Sequence, residues 1–285
     1  MNRIPPEELS GAFVMRPADA HKRSVGVVAV VGGSDRYPHA PAIAALGARA
    51  AGAGLVHLMA PDASRAAAGA IVPEATFESL VPDFAPQRAD VTVVGMGLGA
   101  SDSTESIVAR LLSGAQGRFV VDADALSALA SLRSCGRHAS AGQELVLTPH
   151  EGEAAKLLGW AADKVKSNRR AAVAEIAAQY GATCVLKGPG TLVASRDGSR
   201  LYENATGNPF MALGGMGDLL AGAIGARWAY LNGDAFLAAA SSVWLHGAAS
   251  DAVVAECADP SIANTAAKMG GMRVALDAAA REKQT

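Results

Sequence analysis

Short runs rich in valine and leucine recur along the first two thirds of the chain. Each closes on a glycine-rich or polar turn and is followed by a stretch of helical length. Such runs are too short for helices and too uniformly apolar for a half-exposed sheet, so they predict parallel strands buried on both faces under helices. The first run is Val25 to Val31, closed by Gly32-Gly33-Ser34. An alanine-rich helix over Pro41 to Ala53 follows, and Gly54 opens a second strand, Leu55 to Met59. The pattern repeats with strands at Val91 to Val94, Phe119 to Val121, Leu145 to Leu147 and Thr183 to Leu186. Helices are predicted over Ser103 to Leu112, Asp122 to Leu132, Glu151 to Leu158 and Arg169 to Tyr180. Gly190 to Ser195 and Arg200 to Glu203 read as an antiparallel hairpin around Asp197-Gly198, a dipeptide suited to a tight primed turn. From Gly217 onward the pattern is almost wholly helical. In such a sheet, ligands sit beyond the carboxyl ends of the strands, where every glycine-rich loop of this chain falls.

Nothing resembling a linker, repeat or low-complexity tract divides the 285 residues, so one domain over residues 1–285 is expected, with residues 1–24 as an N-terminal arm. The net charge of −2 carries no basic excess and argues against nucleic acid or anionic membranes as partners. Cys135, Cys184 and Cys257 are odd in number and lack metal or redox spacing, and they read as reduced, buried thiols. The N-terminus lacks the apolar core of a signal peptide. Ala235 to Val254 carries His246 and Asp251 and reads as a buried helix rather than a span. A cytoplasmic protein is expected.

The most informative stretch is Asn208 to Gly222, N-P-F-M-A-L-G-G-M-G-D-L-L-A-G. Gly214, Gly215 and Gly217 let backbone N–H groups turn inward at a helix start, which suits an anion such as phosphate. Asp218 in the first turn reads either as an ordinary favourable charge at the helix start or as a base beside a phosphate site. Lys187-Gly188-Pro189-Gly190-Thr191 leaves a strand end with a cation, two glycines and a hydroxyl. It suits the phosphates or ribose of a nucleotide, or a plain hairpin turn with a solvated lysine. Thr148-Pro149-His150-Glu151-Gly152-Glu153 reads as a capping box with Thr148 as the cap, Pro149 first in the helix and Glu151 third, leaving His150 over. That histidine either reaches a substrate or is a satisfied surface residue. Gly95-Met96-Gly97-Leu98-Gly99 only partly matches a dinucleotide fingerprint and reads better as a tight turn allowing close approach, while Asp122 and Asp124 beyond the next strand suit a helix cap. No P-loop motif occurs. Asp35 and His39, in the polar loop after the first strand, have no companions at ligand spacing, so no fixed protein metal site is expected. Any Mg²⁺ would arrive with a nucleotide.

Together the G-G-S loop, the T-P-H-E-G-E, K-G-P-G-T and N-P-F-M-A-L-G-G-M-G-D blocks resemble those of ADP/ATP-dependent NAD(P)H-hydrate dehydratases. The likeness runs from His21-Lys22 to His246-Gly247. The resemblance implies a ribokinase-like three-layer α/β/α sandwich with a mostly parallel central sheet. It also implies repair of hydrated NAD(P)H by phosphorylation of the 6-hydroxyl from ADP or ATP, with Mg²⁺, and elimination of phosphate. On the matching positions it implies Asp218 as base and the Gly214, Gly215, Met216 and Gly217 amides as the anion hole. Lys187 to Thr191 and Gly217 would bind the adenine nucleotide, and Ala40, Gly97, His150 and Asp218 the hydrated dinucleotide. It further implies a homo-oligomer, a tetramer by family habit, and functional pairing with an NAD(P)H-hydrate epimerase on a separate chain. Arg23, His39, Phe210 and Ser250 stand where the family pattern has smaller residues. The nearest rival is a ribokinase-like kinase that releases the phosphate ester of a vitamin-precursor alcohol. A non-catalytic nucleotide sensor would lack the acid after G-G-M-G.

Overall fold

A computed structural model describes residues 5–81, 88–114, 116–137, 139, 142–231 and 233–282. The chain alternates strand and helix in the order β1 (Val27–Val31), α1 (Ala40–Ala51), β2 (Leu55–Ala60), α2 (Arg65–Ile71), β3 (Thr76–Ser79), β4 (Val91–Val94) and α3 (Asp102–Leu112). It continues through β5 (Gly117–Val121), α4 (Asp124–Ser134), β6 (Gln143–Leu147), α5 (Glu151–Leu158), α6 (Ala162–Ser167), α7 (Arg169–Tyr180) and β7 (Thr183–Leu186). A hairpin of β8 (Leu192–Ala194) and β9 (Leu201–Glu203) leads to three helices, α8 (Met216–Leu231), α9 (Ala235–Ala255) and α10 (Ile262–Glu282). The sheet order is β3-β2-β1-β4-β5-β6-β7-β8-β9. All pairs are parallel as far as β7, and β8 and β9 are antiparallel. Because β1 lies between β2 and β4, the loops after β1 and β4 leave in opposite directions and open a crevice at the carboxyl edge.

The uniform apolarity of the strands has its cause in two separate cores. Val28, Val30, Val93, Val120, Val146 and Val185 face α1, α8 and α9, whereas Val31, Val94, Val121, Leu147 and Leu186 face α3, α4, α5 and α7. Successive side chains point to opposite faces, so a strand covered on both sides has no position left for a polar residue. On the first face α1 and α8 cross at backbone contact. A Cβ at Gly47 would overlap the Leu219 carbonyl, and one at Gly222 the Ala44 carbonyl. This draws the start of α8 against the start of α1, at the crevice.

Several details differ from the sequence reading. The first strand begins at Val27, after Gly26 at φ +99°. Helix α2 and edge strand β3 are absent from that reading, because β3 (T-F-E-S) is polar and half-exposed and lacks the valine signature. The hairpin closes through a four-residue loop, with Ser195 N–H donating to the Arg200 carbonyl and Gly198 N–H to Ser195 O, so it is not a two-residue primed turn. Its Asp197 carboxylate accepts from Ser195 Oγ and Ser199 N–H. All three cysteines are free, yet only Cys184 is buried; Cys135 and Cys257 are exposed. The arm is a packed element: Leu9 and Ala12 are buried, Phe13 meets Trp244 edge-on at 5.9 Å, and buried Arg227 donates to the Ala12 carbonyl. Among the described residues no helix is long and apolar enough to cross a membrane.

Candidate active site

Gly214 and Gly215 form the turn that enters α8, and Gly215 adopts φ +95°, which an L side chain resists. A side chain there would also strike Ile43 of α1. The N–H groups of Gly217 and Asp218, in the first helical turn, have no intrahelical acceptor and face the crevice end of the helix. Asp218 does not cap the helix: among the described residues its carboxylate takes part in no hydrogen bond. It is half-buried. Its pKa is pushed up to about 7 by burial first and then by Asp122, with Asp124 and Glu153 adding and Lys187 opposing.

The charge at the centre of this cluster is Lys187. Its ammonium lies 2.6 Å from Asp122 Oδ1 and 4.0 Å from Glu153 Oε2. A Cβ placed on Gly217 would come within 3.3 Å of it. Burial alone would lower the pKa of this ammonium, but Asp122 and Glu153 outweigh it and hold the group above the ordinary lysine value. Asp122, only 1% exposed, also accepts from Thr148 Oγ1 at 2.7 Å. Glu153 is raised by burial, with Lys187 opposing and Asp122 adding. The Lys187 N–H donates to Pro149 O at 2.8 Å, joining the ends of β6 and β7.

The capping box at α5 is real but shifted from its expected place. His150 is the cap: its Nδ1 accepts from Gly152 and Glu153 N–H at 3.0 and 3.2 Å, while Glu153 Oε2 accepts from His150 N–H at 2.8 Å. Thr148, expected as the cap, instead lies buried against Asp122. Two amide donors on Nδ1 leave neutral His150 with its proton on Nε2, which is a donor 3.4 Å from Glu153 Oε1 on a largely exposed ring.

The remaining predicted residues fall on either side of this cluster. Gly188 and Gly190 take φ of +135° and +62°, and the Thr191 hydroxyl donates to Gly188 O, so part of its capacity closes its own loop. Pro189 is exposed. Arg169 underpins this loop, its guanidinium donating to the carbonyls of Leu186, Lys187 and Gly190 and pairing with Glu151. On the other side, Gly97 packs against Tyr37 and Ala40, the first residue of α1. Gly33 N–H reaches Met96 O, and Gly99 N–H reaches Asp124 Oδ2 at 2.8 Å.

Asp218, Gly217 and Lys187 are thus brought together. Ala40 and Gly97 meet each other and are linked to the cluster through Ile43 and Gly215. Pro189 to Thr191 sit further out along their loop. Sequence reasoning missed the pairing of Asp122 with Lys187 and the anchoring by Arg169. A signal for the first existed in the acid ending a buried strand, but its partner lies 65 residues away. No group of three or more His, Cys, Asp or Glu side chains among the described residues could hold a metal ion. A groove of about 650 Å³ between α9 and α10, lined by Ala252, Asn264, Lys268 and Met272 among others, contains none of these residues.

The sequence model of the NAD(P)H-hydrate dehydratase family matches residues 28–268. The chain is 40% identical over 245 residues to the ADP-dependent (S)-NAD(P)H-hydrate dehydratase of Neisseria meningitidis, covering 85% of this chain and 81% of that one. It is 35% identical to the bifunctional NAD(P)H-hydrate repair enzyme of Gloeobacter violaceus, of which it spans 49%. The fold superposes on the ADP/ATP-dependent NAD(P)H-hydrate dehydratase of Bacillus subtilis, crystallised with ATP and Mg²⁺, with a TM-score of 0.83 and 27% identity. That match covers 95% of this chain and 96% of that one. The hydroxyethylthiazole kinase of Pyrococcus horikoshii, at a TM-score of 0.59 and 16% identity, shares the fold alone.

Proposed function

The chain belongs to the NAD(P)H-hydrate dehydratase family, and from that membership we propose that it returns hydrated NADH or NADPH to the reduced dinucleotide at the expense of ADP or ATP. The observation that carries the reading is Asp218, an acid in the first turn of a glycine-loop helix that makes no capping bond and titrates near neutrality. A carboxylate so placed is a base for a hydroxyl about to attack phosphorus. Asp218 takes the proton of the 6-hydroxyl as its oxygen attacks the terminal phosphorus, and the nucleotide departs one phosphate shorter. The amides of Gly214, Gly215 and Gly217 receive the charge on the phosphoryl oxygens, whereas Met216, expected among them, has its N–H turned to the Leu213 carbonyl at 3.3 Å. Phosphate then leaves C6 with the C–O bonding pair, driven by the ring-nitrogen lone pair, and loss of the neighbouring C5 proton restores the double bond.

Lys187 to Thr191 and Gly217 bind the nucleotide, while Ala40, Gly97 and His150, through its Nε2–H, contact the dinucleotide. Mg²⁺ arriving with the nucleotide would neutralise phosphate charge in such a transfer. The donor set would fit an ion that keeps its water: Asp122 is committed to Lys187 and Thr148 and Glu153 to His150, while Asp124, with one oxygen accepting from Gly99 N–H, would hold that water through the other.

The reading is tested by incubating the protein with hydrated NADH, Mg²⁺ and either ADP or ATP and following the absorbance of NADH. Recovery is expected with at least one nucleotide. Accumulation of a stable phosphate ester without recovery would establish the kinase instead. Residues 1–285 act as one domain, a reading supported by the single continuous sheet. The free cysteines support a cytoplasmic setting, and functional pairing with an NAD(P)H-hydrate epimerase is expected. A homo-oligomer, specifically a tetramer, is expected by light scattering.

A further inference from the structure

The glycine loop must be held still to act; its α8 end is anchored by buried Met216 and by Gly215 against Ile43, but hydrophobic burial does not hold the chain leading into it. Residues 204–215 connect β9 to α8, and positions 205, 207, 209, 210 and 212–214 are exposed. Its Phe210 and Leu213 are 65% and 48% exposed. A segment with so few buried apolar contacts drifts unless polar bonds fix it.

Those bonds come from α9, a helix buried along most of its length. Asp251 accepts from Gly207 N–H at 2.9 Å through Oδ2 and from Asn208 Nδ2 at 2.8 Å through Oδ1. Ser250 Oγ lies 3.1 Å from the same Asn208 nitrogen. Asn208 Oδ1 in turn accepts from Phe210 N–H at 3.1 Å, closing the turn over Pro209–Met211. Just upstream, Thr206 Oγ1 sits 3.0 Å from the Trp244 carbonyl, at a point where Gly247 leaves the surface of α9 bare. The chain of bonds thus runs from the rigid helix through Asp251 and Asn208 to a point four residues before Gly214.

We infer that Asp251 and Asn208 form a polar clamp that sets the course of the chain into Gly214 and Gly215, and so the position of their amides beside Asp218 for phosphoryl transfer. They are positioning residues, acting through the loop, and the inference rests on the phosphoryl-transfer reading of that loop. The clamp is polar in a definite sense. Both donors point at Asp251, so an asparagine there turns one amide hydrogen pair toward another donor. An aspartate at 208 sets two carboxylates face to face. Exchanging the two residues restores every bond: Asp at 208 accepts from Phe210 N–H and from the new Asn at 251, whose oxygen accepts from Gly207 N–H.

The test is the set Asp251→Asn, Asn208→Asp and the double exchange, in the full chain. A displacement of about 1 Å at reacting groups costs roughly 10²-fold, so each single variant is expected to lose about 30- to 100-fold in kcat, with nucleotide KM changed less than about fivefold. The double exchange recovers to within about fivefold of wild type on the same scale. Melting temperatures of all three stay within about 5 °C of wild type. Hydrogen exchange of the Gly207 and Phe210 amides accelerates in the single variants and returns to the wild-type rate in the double. Unchanged exchange in the single variants, kcat within threefold of wild type, or a double no better than the singles overturns the clamp. Wild type failing to regenerate NADH overturns the function and not the clamp, which the exchange data read independently of turnover.

Discussion

Replacing Asp218 with asparagine separates its roles, because a base and a helix-start charge predict opposite signs for stability. Among the described residues the side chain makes no hydrogen bond to lose, and its pKa of about 7 reflects a fold that disfavours the ionised form. One pKa unit corresponds to about 1.4 kcal/mol, so after discounting for a half-exposed, solvent-screened group, ionised Asp218 costs the fold on the order of 2 kcal/mol at pH 8. The favourable contact of a carboxylate with the helix dipole returns about 0.3–1 kcal/mol of that. Asp218→Asn is therefore expected to be about 1 kcal/mol more stable than wild type at pH 8, a rise of roughly 2–4 °C in melting temperature. The sign with pH follows from proton counting. Between the ordinary aspartate range and pH 7 the folded state binds more protons than the unfolded, so this group's contribution falls as pH rises through that window. The variant's advantage should vanish near pH 4.

Activity should move the other way. Loss of a general base costs about 10²–10⁴-fold, or about 3–5 kcal/mol of barrier. NADH recovery at saturating nucleotide measures kcat, and scanning fluorimetry at pH 4 and pH 8 measures stability. The wild-type kcat/KM should climb through pH 7 as the carboxylate forms, and nucleotide affinity should persist in the variant. A loss under tenfold, or a variant less stable than wild type at pH 8, would refute the reasoning and return Asp218 to a simple helix-start charge.

Asp122→Asn removes the second contributor to the raised Asp218 pKa, so the midpoint of the kcat/KM profile should move below 7; an unmoved midpoint would contradict the electrostatic link. Gly222→Ala forces a Cβ into the Ala44 carbonyl at the α1–α8 crossing and should cost about 1–3 kcal/mol or more in urea unfolding. A neutral result would mean the helices can part freely. His246, buried in α9 with Nε2 unpartnered among the described residues, has its pKa pushed down to about 4 by burial. The unfolded chain takes up a proton from pH 6.5 downward while the folded chain resists, so stability falls as pH drops from 6.5 toward 4. His246→Asn should flatten the slope in that window, as chemical denaturation at pH 4.5 and 7 would reveal.

How far the sequence reaches is seen by comparing particular residues. The strands from Val27 to Leu186 and the glycine loops at their ends were legible because burial on both faces and positive φ leave local marks: unbroken β-branched runs, and glycine where the chain must turn. The polar edge strand Thr76–Ser79 carried no such mark. His150 and not Thr148 caps α5, because both are hydrogen-bonding groups near one helix start, and which of them meets the free amides depends on where β6 delivers the chain. On pattern alone Asp218 read first as a helix-start charge and only second as a base. Its environment is made by Asp122 after β5, Glu153 on α5 and Lys187 after β7, and the clamp on its loop by Asp251, more than thirty residues further on. Local stereochemistry and burial period, written in neighbouring residues, determined the architecture and the edge of the sheet where chemistry happens. The protonation of Asp218, the partner of Lys187 and the anchoring of the glycine loop were decided only by the tertiary structure, since Coulomb and desolvation energies depend on distances in space that sequence separation does not record.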